Sequence, residues 1–67
     1  MTFAKARESA GLSIPEAAHR LGVTPAAIYQ WESGQTFPDG RRLPDISRVY
    51  GVSIDELLRG ETDGHSD

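Results

Sequence analysis

The 67 residues contain no cysteine. Disulfide staples and thiolate metal sites are thereby excluded. There are two histidines, His19 and His65, too few and too scattered to hold a structural metal. No apolar run approaches the length of a membrane span. The opening MTFAKARESAGLS is interrupted by Lys5, Arg7 and Glu8, unlike a signal peptide. A glycine-rich phosphate loop is missing, as is any cluster of catalytic side chains. His19 near Ser13 and Glu16 reads only as an outward residue of a capped helix. Neither an enzyme nor a cofactor is expected, no membrane partner is expected, and a cytoplasmic location is. Strand-type alternation and internal repeats are absent too. What remains is one small domain that buries only about 60% of its unfolded surface. Its stability must come from closely packed, well-capped helices or from a partner.

Positive charge is also in short supply, with a net charge of −3. Location matters more than the total. Residues 1–60 balance seven bases against seven acids, and the other three acids, Glu61, Asp63 and Asp67, lie in the tail ETDGHSD. The sequence therefore divides into a neutral domain, 1–60, and a short acidic tail, 61–67, expected to fray. Any non-specific hold on nucleic acid should be weak, because few phosphates can be neutralised.

What is present is helix punctuation. Ser13 with Glu16 forms a capping box, and Thr24 followed by Pro25 forms a second helix start. Between them Gly22 sits just past Leu21, where a helix that stops and turns requires positive φ. Two short helices around a glycine turn make a helix-turn-helix, whose second helix most often enters the DNA major groove. A first helix is expected over 3–10, with Phe3, Ala6 and Ala10 inward, followed by helices over 14–21 and 25–33. Ala17, Ala18 and Leu21 face inward from the second, and Ile28 and Trp31 from the third. After the loop QTFPDGRR, Pro44 fixes a fourth helix start near Leu43–Pro44, with Leu43, Ile46, Val49 and Tyr50 on its apolar face. Ser53 with Glu56 opens a fifth helix that runs through Arg59 and closes at Gly60. The fold class is all-α, with five short helices.

Arg7 with SAGLS (9–13), EAAHRLGVT (16–24), AIYQWESG (27–34) and RVYGVSIDELL (48–58), in this order and spacing, closely resemble the Xre family. These are the small five-helix repressor domains related to the lambdoid phage repressors. The match covers nearly the whole of residues 3–60. It implies sequence-specific binding of double-stranded DNA, with the chain acting as a homodimeric regulator, a repressor by preference, on a two-fold symmetric operator.

The resemblance also assigns positions. Arg7 and Glu32 match a structural ion pair linking the first helix to the end of the recognition helix. Ala26, Ala27, Tyr29 and Gln30 fall on the base-reading helix. Gln30 can bond adenine N6 and N7 together, and the two alanines can meet thymine methyls. Pro25 donates nothing. Phosphates are expected at Thr24, Gln35, Thr36, Arg41 and Arg42, and at the backbone N–H of Ile14, where the family commonly has glutamine. About 2–4 such contacts per protomer would give a shallow salt slope. Tyr50, Val52, Ile54, Leu57 and Leu58 exceed what a short helix pair needs to seal a core, so a dimer surface is expected there. The rival reading is a protein-interaction module, antitoxin-like or a co-regulator, whose recognition helix no longer reads bases and which binds another protein regulator.

Overall fold

In a computed structural model, which describes residues 2–62, the chain forms five α-helices and one 3₁₀ turn. They are α1 (Phe3–Ser9), α2 (Ile14–Leu21), α3 (Pro25–Ser33), the turn Gly40–Arg42, α4 (Leu43–Tyr50) and α5 (Ile54–Thr62). No strand occurs among the described residues.

Side chains start most of these helices. Thr2 Oγ1 accepts from the Lys5 amide at 3.1 Å, and Thr24 Oγ1 from the Ala27 amide at 3.1 Å. Ser13 and Glu16 exchange both bonds of a capping box, at 3.1 and 2.8 Å, and Ser53 and Glu56 do the same at 3.0 and 3.1 Å. The start of α4 differs. Its N-cap position, Arg42, gives no side-chain bond, and the preceding 3₁₀ turn is held by the Asp39 carboxylate, which accepts from the Arg41 amide at 3.0 Å.

The ends of α1 to α4 share one device. A glycine of positive φ (Gly11, Gly22, Gly34 or Gly51) breaks the helix, and the next amide donates to the carbonyl five residues back. The pairs are Leu12 to Arg7 at 3.2 Å, Val23 to Ala18 at 3.0 Å, Gln35 to Gln30 at 3.0 Å and Val52 to Ser47 at 3.1 Å. Leu12, Val23 and Val52 then fold their apolar side chains onto the core. Gln35, after α3, is polar and exposed.

The core runs from Phe3 and Ala6 of α1 through Ala17, Ala18 and Leu21 of α2 and Ile28 and Trp31 of α3. It continues to Ile46 and Tyr50 of α4 and Leu57 of α5. Phe3, 1% exposed, lies 6.4 Å from the Trp31 ring and edge-on to Phe37 at 5.7 Å.

Two boundaries depart from expectation. The first helix ends at Ser9, and Ala10 is an exposed C-cap rather than an inward residue. The fifth does not stop at Gly60 but runs on to Thr62. Residues 61 and 62 of the expected tail are thus helical in backbone, and 63–67 lie outside the described residues.

Candidate nucleic-acid interface

Helix α3 is fastened to the domain from behind. Ile28 and Trp31 are buried, and Glu32 accepts Arg7 Nε at 2.6 Å and Nη2 at 3.1 Å. The third arm of the guanidinium donates to the Leu12 carbonyl at 2.9 Å, so Arg7 ties α1, the α1–α2 turn and α3 together. Only 12% and 11% of the two side chains remain exposed. The hydrogen bond from Arg7 to Glu32 raises the arginine pKa further, and burial opposes it.

The opposite face of α3 is open. Pro25, Ala26, Tyr29 and Ser33 are exposed, with Tyr29 the most prominent at 62%. Gln30 is half-buried at the margin of this face. Ala27 is not on it. One turn before Trp31, it shares that residue's side of the helix and packs against the core, so the expectation that it faces bases is corrected.

Backbone donors here are few. At the start of α2, Pro15 has no N–H, and the Glu16 amide is taken by Ser13. The Ile14 amide therefore has no partner among the described residues and is the one available there. Thr24 spends its acceptor on Ala27 and keeps its hydroxyl hydrogen. The amides of Gln35 and Thr36 both donate to the Gln30 carbonyl, at 3.0 and 3.4 Å, which leaves their exposed side chains to make any contact.

Most of the cations are already engaged. Arg48 pairs with Asp45, Arg59 Nε lies 2.7 Å from Asp55 Oδ2, and Arg41 Nε lies 3.9 Å from Asp39 Oδ1. Arg42 is half-buried, and its Nη1 donates to the Leu21 carbonyl at 3.4 Å, at the negative end of α2. Asp39, Arg41, Arg42 and Asp45 line one depression, so the adjacent arginine pair sits among acids rather than in a basic patch. Lys5 and Arg20, to which no motif assigns a role, are exposed and have no ion-pair partner among the described residues. The signal for them is exposure alone. The Ser13 bonds, aided by the charge of Arg20, hold the Glu16 carboxyl below its ordinary range.

At the far side, the expected dimer residues separate. Tyr50 and Leu57 are 3% and 0% exposed and belong to the core of the subunit, so neither is available to a second chain. Val52 and Ile54 are half-buried, and Leu58 is exposed. The Tyr50 hydroxyl is buried with no hydrogen-bond partner, and burial pushes its pKa up to about 12. No group of His, Asp or Glu among the described residues could hold a metal ion. None of the described helices is long and apolar enough to cross a membrane.

A helix-turn-helix family model matches residues 3–57. Over 55 residues, 82% of the chain, it is 42% identical to the HTH-type transcriptional activator BcrR of Enterococcus faecalis, of which the match covers 27%. It is 38% identical over 58 residues to the HTH-type transcriptional regulator YqaE of Bacillus subtilis, spanning 87% of the chain and 50% of that relative. With the Repressor protein C2 of Salmonella phage P22 it shares 42% identity over 41 residues, 61% of the chain and 19% of C2. The chain thus spans half or less of the length of these curated relatives. No solved structure matches it. With its helix-turn-helix carried on five close-packed helices, the chain belongs to the Xre-type helix-turn-helix family of transcriptional regulators.

Proposed function

We propose that the chain binds double-stranded operator DNA sequence-specifically as a homodimer and acts as a repressor by occupying a palindromic site. The single observation that carries this reading is the open face of α3, held rigidly from behind by Trp31 and the Arg7–Glu32 pair. The two copies of α3 would enter successive major grooves about 34 Å apart. Tyr29, Gln30 and Ala26 meet the bases. Thr24, Gln35, Thr36, Arg41 and the Ile14 amide meet phosphates, with Arg42 chiefly capping α2. Leu58, flanked by Ile54 and Val52, forms the dimer contact. A regulator of this kind works in the cytoplasm. Relatives bear both activator and repressor names, so a reporter assay decides the sign.

A second reading is favoured by the scarcity of unpaired cations and the lack of any on α3. On it, the α3 face docks another protein regulator instead of DNA. Selection of bound duplexes from a random pool separates the two. A palindrome with half-sites one helical turn apart supports the operator reading, and no enrichment by folded protein rejects it.

A further inference from the structure

The open face of α3 is uncharged. Ala26, Tyr29 and Ser33 stand at i, i+3 and i+7, so the Tyr29 ring projects with a small side chain one turn to either side. The only charged residue of α3, Glu32, is held by Arg7 behind the helix. This face therefore has no cation for guanine O6 and N7 and no free carboxylate for cytosine N4. What an aromatic ring and an alanine methyl complement in the major groove is the C5-methyl group, which thymine presents and cytosine lacks.

Resting on the DNA-binding reading above, we propose that Tyr29 is a specificity-determining residue, beside Gln30, and reads pyrimidine C5-methyl groups. Its ring lies against one methyl, and Ala26 against a neighbouring one. The ligand class is a half-site with thymines at the positions facing Ala26 and Tyr29, where 5-methylcytosine is preferred over cytosine. The phenol hydroxyl has no part in the discrimination.

The test uses the full chain and the duplex it selects from a random pool, resynthesised with deoxyuridine replacing each thymidine in turn. Deoxyuridine keeps the base pair and the O4 acceptor and removes only the methyl. The expected result is a loss of about fourfold at one or two positions of each half-site, the weight of one buried methyl. At those positions 5-methylcytosine should bind about fourfold more tightly than cytosine. Tyr29→Phe should keep the preference, and Tyr29→Ala should bind thymine and uracil duplexes alike at the ring's position. Both variants alter an exposed side chain, and their melting curves verify the fold. Indifference of the selected site to every deoxyuridine overturns the assignment while the operator reading stands. So does loss of the preference in Tyr29→Phe, or its survival in Tyr29→Ala. Failure to select any duplex overturns both.

Discussion

Glu32, in the last turn of α3, receives both Nε and Nη2 of Arg7 from α1, at 2.6 and 3.1 Å. With each side chain almost wholly withdrawn from water, removing one partner strands a charge. Arg7→Ala or Glu32→Ala should cost about 3–5 kcal/mol. A domain of this size has a total stability of roughly 3–10 kcal/mol, so either variant should lose at least about a third of it. Urea titration followed by Trp31 fluorescence measures this. A loss below about 1 kcal/mol would place the pair among ordinary surface bridges.

Tyr50 makes the opposite prediction. Its buried hydroxyl has no partner, so Tyr50→Phe should be neutral or slightly stabilising near neutral pH. The alkaline limb has a definite sign. The phenol titrates near 10 when unfolded and at about 12 when folded, so proton loss above pH 10 favours the unfolded chain. Relative to Tyr50→Phe, the parent should lose about 1.4 kcal/mol by pH 11 and level off beyond pH 12. Parallel titration curves for the two proteins across pH 9–11 would mean the phenol ionises in place.

The capping box of α2 can be read on the acid side. Its Glu16 carboxyl titrates below the usual value because Ser13 donates to it. Its contribution is complete above the unfolded pKa and fades as pH falls through the lower, folded one. Ser13→Ala removes the hydroxyl but keeps the amide that donates to the carboxylate, so it should cost about 1 kcal/mol and move the Glu16 carboxyl resonance midpoint only part of the way up in an NMR titration. A midpoint that stays put would separate the cap from the carboxylate.

On DNA, Gln30→Ala should cost roughly 1–3 kcal/mol on the selected site and relax discrimination at one base pair. An equal loss on random duplex would remove Gln30 from base reading. Arg41→Ala should weaken all sequences alike and flatten the salt dependence, whereas Arg42→Ala should also lower the melting temperature through the α2 cap.

Adjacent leucines of α5 should behave differently. Leu57→Ala opens the core and should cost about 2–5 kcal/mol. Leu58→Glu, at an exposed position, should cost less than Leu57→Ala and abolish the dimer in sedimentation. A Leu58→Glu protein that still sediments as a dimer would move the interface elsewhere.

The helix starts were legible because capping is local chemistry: Ser13 with Glu16, Thr24 with Pro25 and Ser53 with Glu56 each lie within four residues. The ends were less so. Gly60 reads as a stop like Gly11, Gly22, Gly34 and Gly51, yet α5 runs through it to Thr62, because glycine permits the turn without enforcing it. Leu12 is buried in a turn, where no periodicity marks it in the sequence. In α5 the periodicity admits either Leu57 or Leu58 to the core, and only three-dimensional packing chooses. For the candidate interface, the sequence marks α3 and its open face, but a helix of nine residues leaves its flanks ambiguous by one position, and Ala27 packs against the core. Which exposed group touches which base depends on the contour of a second molecule.

Four of the arginines already face a carboxylate. On the operator reading, this bears on how the protein finds its site. A domain with so little free positive charge is hardly sequestered by the bulk chromosome, where retention is electrostatic. Most copies then diffuse through solution instead of sliding along the duplex. Operator occupancy should accordingly follow the cellular concentration of the chain directly, and a modest number of molecules should suffice to fill a site.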